Sequence, residues 1–92
     1  MEGAPECRLL IVNRRGLHAR ASAKLVKLVE TFDAHVTVSK DGQSVGGNSI
    51  MGLMMLAASP GCSINVCAEG REAHAVLVAI TDLVESGFGE AD

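Results

Sequence analysis

The chain has 92 residues, a 48% hydrophobic fraction and a formal net charge of -3, enough for one modest core and too little for a second independent domain. Its purely apolar stretches are only a few residues long and residues 1–6 lack a basic-then-apolar signal pattern, so a soluble, unexported, cytoplasmic protein without membrane insertion is expected. Cys7, Cys62 and Cys67 form an odd set with no C-x-x-C, which argues against a zinc site and a closed disulfide framework.

From Cys7 to Asn13, the residues Cys7, Leu9 and Ile11 alternate with Arg8, Leu10 and Val12, the pattern of a strand with a rather apolar second side. The turn Asn13-Arg14-Arg15-Gly16 stops it. Between about Ala19 and Phe32 the apolar positions Ala21, Leu25, Leu28, Val29 and Phe32 follow a helical period, with Lys24, Lys27 and Thr31 on the other side. Val36 and Val38 then alternate with His35, Thr37 and Ser39, and Asp41-Gly42 closes a hairpin onto Gln43 to Val45. Asn48-Ser49 starts a short helix over Ile50 to Ala58, which Ser59-Pro60-Gly61 must stop. Cys62, Ile64, Val66 and Ala68 alternate with Ser63, Asn65 and Cys67 in a fourth strand, and Ala73, Val76, Ile80, Leu83 and Val84 trace a last helix ending at Gly87.

The order is βαββαβα, with no repeat or linker. It describes one α+β domain over residues 1–92 with an ordered core of about 6–87: an open-faced β-sandwich whose four-stranded antiparallel sheet is covered on one face by three helices.

Six basic residues, Arg8, Arg14, Arg15, Arg20, Lys24 and Lys27, fall between Cys7 and Val29 without one acid, so that end attracts anions. With Phe32 and Phe88 the only aromatics, no stacking platform for bases is visible and nucleic acid is not the expected partner. Within the stretch, Gly16-Leu17-His18-Ala19-Arg20 sets a histidine between a glycine-containing loop and the positive end of a helix. Unpaired N–H groups, the helix dipole and the Arg20 guanidinium would together hold a phosphorylated imidazole. A neutral imidazole at that place would be the nucleophile. The plainer alternative is a polar cap residue on an exposed loop. His35 and His74 have neither glycine loop nor adjacent arginine, and no pair of histidines has the i, i+4 spacing of a metal site, so no metal and no cofactor are expected. Ser49 is a second anion-ready position, although a simple N-cap accounts for it as well. After it, Ile50, Met51, Leu53, Met54, Met55 and Leu56 leave a helix apolar almost all round, suited either to partner docking or to deep burial.

These residues resemble the HPr family, the histidine-containing phosphocarriers of the bacterial phosphoenolpyruvate-dependent sugar phosphotransferase system. The resemblance covers essentially the whole chain and rests on Gly16-Leu17-His18-Ala19-Arg20, on Asn48-Ser49-Ile50-Met51-Gly52 and on the element order. It implies that His18 takes a phosphoryl group on Nδ1 from phospho-enzyme I and passes it to enzyme IIA domains, with Arg20 steadying the phosphate. It also implies Ser49 as a regulatory phosphoserine, made by an HPr kinase/phosphorylase, and a carrier rather than a stand-alone enzyme. On the apolar surface of the second helix, Ile50, Met51 and Met54 are the expected docking residues for enzyme I, and a monomer is expected. Ala21 stands where many members carry proline, from which a more mobile His18 turn is expected; Asn48 stands where relatives often carry a lysine. The nitrogen-related branch, served by the paralogous NPr, is the alternative, and a non-phosphorylated ligand- or RNA-binding α+β domain is the competing class.

Overall fold

The computed structural model describes residues 4–90; the remainder of the expected span, residues 1–3 and 91–92, lies outside the described residues. The elements are β1 (Glu6–Leu10), α1 (Ala19–Glu30), β2 (His35–Lys40), β3 (Gln43–Gly46), α2 (Ile50–Met55), β4 (Ser63–Glu69) and α3 (Ala73–Glu85), with a single 3-10 turn at Gly87–Gly89. The four strands form one antiparallel sheet in the order β1-β4-β2-β3. Alternation decides which face is buried: Leu9, Val36, Val38, Ile64, Val66 and Ala68 point into the core, while their neighbours line the open face. Arg8, Asn65 and Ser39 stand in one row there, and Ser39 and Ser44 exchange a hydrogen bond at 2.9 Å.

All three helices pack on the apolar face. α3 lies on β1 and β4, α2 on β3, and α1 bridges the other two helices. Ala21, Leu25, Val26 and Val29 from α1 meet Leu53 and Leu56 from the α2 region and Val76, Ile80 and Val84 from α3 in a single core. Burial of this set is what makes helices as short as α2 stable, since isolated segments of that length are not helical in water.

Of the boundaries that differ from the sequence expectation, three have a clear local reason. β1 ends at Leu10 rather than Asn13, because the chain leaves regular pairing while Ile11 still exchanges backbone bonds with Cys62 and Gly61 and Asn13 turns inward, 2% exposed. α2 stops at Met55, not Ala58; Ala57 takes a left-handed φ of 53°, ending the helix before the proline is reached. α3 ends at Glu85, and the Gly87–Gly89 turn beyond it seats Phe88 at 1% exposure in the core.

Candidate functional site

The segment between β1 and α1 is fixed by backbone. Gly16 has φ 64°, and a Cβ there would come within 2.2 Å of the Ala58 carbonyl oxygen, so glycine is required twice over. The same carbonyl accepts from the Leu17 N–H at 2.9 Å, and the Leu17 side chain is 4% exposed. With its predecessor pinned, His18 becomes the N-cap of α1 in an extended conformation, φ -73° and ψ 179°, and its side chain does not cap the helix. The first turn contains no acid. Its N–H groups therefore keep their capacity for an anion.

The imidazole is held from the far end of the chain. Its Nε2 hydrogen-bonds Glu90 Oε2, while Glu90 Oε1 accepts from Asn13 Nδ2 at 3.1 Å. Asn13 Nδ2 also donates to the Gly16 carbonyl at 2.8 Å; both neighbours being acceptors, the amide nitrogen must face them. Asn13 Oδ1 is buried and has no hydrogen-bond partner. The His18 and Glu90 side chains retain 16% and 13% exposure. Glu90 reaches this place because Phe88 is buried and its carbonyl accepts from Lys24 Nζ at 2.6 Å, which ties the turn after α3 to α1. The His18 bond, and secondarily the Asn13 bond, hold the Glu90 carboxyl below its ordinary range, so it is a carboxylate at neutral pH.

The other expected site residues lie on an adjoining surface. Arg20, Ser49, Ile50 and Met51 line one groove of about 660 Å³ between α1 and α2. Arg20 is exposed. Ser49 caps α2, its Oγ accepting from the Gly52 N–H at 2.9 Å. The ambiguity over the methionine-rich helix resolves residue by residue: Leu53 and Leu56 enter the core, whereas Ile50, Met51, Met54 and Met55 are exposed, Met51 at 73%. His35 and His74 are exposed and remote in sequence from both clusters. Among the described residues no group of three or more His, Cys, Asp or Glu side chains converges, and no helix is long and apolar enough to cross a membrane.

Residues 5–86 match the family model described as the PTS HPr component phosphorylation site. The chain belongs to the HPr family. The phosphocarrier protein HPr of Xylella fastidiosa is 44% identical over 85 residues, spanning 92% of this chain and 96% of the relative. A phosphocarrier protein NPr, from Shewanella violacea, is 40% identical over 86 residues and 94% of each chain. Among solved structures, an HPr from Thermoanaerobacter tengcongensis superposes with a TM-score of 0.91 at 39% identity, over 96% of this chain and 99% of that one. The open-faced βαββαβα sandwich is thus the HPr fold, and phosphocarrier chemistry is the role the family supports.

Sequence reasoning singled out His18, Arg20 and Ser49 as candidates but did not foresee the contacts that Asn13, Lys24 and Glu90 make around His18. A usable signal was the Gly87-Phe88-Gly89 run, an aromatic between two glycines that has no place on the α3 stripe and marks a chain reversal into the core.

Proposed function

We propose that this HPr-family chain accepts a phosphoryl group on His18 from phospho-enzyme I and donates it to enzyme IIA domains in carbohydrate uptake, acting in the cytoplasm. The observation that carries this reading is the place of His18: a non-capping side chain at the start of α1, whose first turn has no acid. The outward N–H groups and the positive end of the dipole stabilise the charge of an attached phosphoryl group, and Arg20 adds a guanidinium that can swing to its oxygens. Ile50 and Met51, exposed in the groove that Arg20 also lines, together with exposed Met54, form the apolar part of the docking surface for enzyme I and the acceptors. Ser49 is the regulatory position, open to an HPr kinase/phosphorylase where the host has one. Its Oγ lies where a phosphate oxygen can keep the bond to the Gly52 N–H.

The test is incubation with phosphoenolpyruvate and enzyme I. The protein should gain an acid-labile, base-stable phosphoryl group that peptide mapping places on His18, and His18→Ala should fold but gain none. Label on His35 or His74 with His18 unmodified would refute the assignment. A second reading, the carrier of the nitrogen-related branch, is favoured by the likeness to a relative named NPr; it predicts faster phosphorylation by that branch's enzyme I paralogue than by the sugar-system enzyme.

A further inference from the structure

We propose that Glu90 is a positioning residue which, by accepting a hydrogen bond from Nε2 of His18, makes Nδ1 the atom that takes the phosphoryl group. This deepens the carrier reading and rests on it. Glu90 presents two oxygens to two different partners, Oε2 to the imidazole and Oε1 to Asn13 Nδ2. As a carboxylate it only accepts, so the ring nitrogen facing it must carry the proton. A neutral imidazole has one such proton, and Nδ1 is left with the lone pair. The arrangement is over-determined: Asn13 is locked by the Gly16 carbonyl, the preceding turn is held by buried Phe88, and Lys24 grips the Phe88 carbonyl.

The chemistry balances without a proton transfer. The Nδ1 lone pair forms the new bond to phosphorus as the bond to the phosphorylated protein donor breaks, and that bond's electron pair stays with the donor. The ring then carries a positive charge with its Nε2 proton in place, facing the Glu90 carboxylate. On transfer to an acceptor the N–P electron pair returns to Nδ1. A carboxylate that orients an imidazole and stabilises its cationic form without taking its proton is an established division of labour.

The geometry predicts a specific inversion. In Glu90→Gln the amide has one oxygen and one NH2. Because Asn13 Nδ2 is fixed as a donor by Gly16, the glutamine oxygen must turn toward Asn13 and its NH2 toward Nε2. Nε2 then accepts, and the proton moves to Nδ1. Glu90→Ala should leave a mixture of tautomers. Long-range 15N–1H spectra of the full chain read the ring directly and need no partner; phosphoryl acceptance from phospho-enzyme I reads the consequence. The expected order of acceptance is wild type, then Glu90→Ala slower on the order of tenfold, then Glu90→Gln slower again. A Glu90→Gln ring that stays protonated on Nε2, or an inverted ring that accepts phosphoryl at the wild-type rate, overturns the proposal. Failure of the wild type to accept any phosphoryl group, with its Nε2–H form intact, instead strikes the carrier reading on which the role depends.

Discussion

Replacing Gly16 by alanine separates two costs that the turn before His18 imposes together. The first is conformational: φ is 64°, where an L-residue with a Cβ costs about 1–2 kcal/mol. The second is contact, since the new Cβ would lie 2.2 Å from the Ala58 oxygen and 3.0 Å from the Ser59 Cα, both backbone atoms that cannot rotate aside. Moving that strand of chain also stretches the Leu17 N–H bond to the same oxygen, a loss of about 1 kcal/mol. The conformational and hydrogen-bond losses alone add to about 2–3 kcal/mol, with the backbone contact adding to them, which for a domain of this size lowers Tm by at least roughly 8–24 °C. Gly42→Ala is the internal control: its φ is 83° but nothing lies within 4 Å of the added Cβ, so only the conformational cost of about 1–2 kcal/mol applies. Thermal melts followed by circular dichroism on both variants give the comparison. Equal shifts in the two would show that the close approach of Gly16 to Ala58 is not what fixes the His18 turn.

Two further predictions concern charge. The Glu90 carboxyl, held below the ordinary carboxylate range first by His18 and then by Asn13, should return toward about 4.3 in His18→Ala when followed by carboxyl 13C shifts. A folded-state pKa below the unfolded one means a stabilising contribution present above the unfolded value and lost as pH falls through the folded one; the wild type should therefore lose more Tm than His18→Ala on acidification below about pH 4.3, and parallel curves would contradict this. Ser49→Asp should leave Tm nearly unchanged, because aspartate also caps a helix, yet raise the enzyme I concentration for half-maximal transfer roughly three- to tenfold at low salt by placing a carboxylate beside Ile50 and Met51. Added salt should narrow that gap by screening, and an unaltered concentration dependence would return Ser49 to the role of helix cap alone.

What the sequence made legible were features with short-range causes. Period-two alternation placed Leu9, Val36, Val38, Ile64 and Val66 on the correct face, and Asp41-Gly42 marked a real hairpin, with Lys40 opposite Gln43. Ser49 caps α2 as its position before an apolar run implied. The ends of elements were less legible because they are decided by tertiary contacts. Nothing local tells Ala57 to adopt a left-handed φ, and β1 gives way at Leu10 because Asn13 has a buried appointment with Gly16 and Glu90. Lys24 read as a solvated face of α1, whereas its ammonium donates to the Phe88 carbonyl, a partner 64 residues away. Contacts of that separation leave no periodic trace in the chain.

The basic stretch from Cys7 to Val29 has no acid of its own, and the fold brings one to it from beyond α3. Position decides what that acid does. A carboxylate facing the incoming phosphoryl oxygens would repel them, cancelling what the helix N-terminus and Arg20 contribute. Placed on Nε2, Glu90 addresses the opposite edge of the ring, where the proposed phosphorylation at Nδ1 would create positive rather than negative charge. The two fields then act on two different parts of the same product. A carrier also has to release what it accepts, and interactions that hold only the phosphorylated state deepen the well from which the group must leave. Spreading the stabilisation between an exposed arginine and a carboxylate already bonded to the unphosphorylated ring leaves part of it common to both states. That shared part orients the imidazole without weighting the equilibrium, which suits the carrier role proposed for His18.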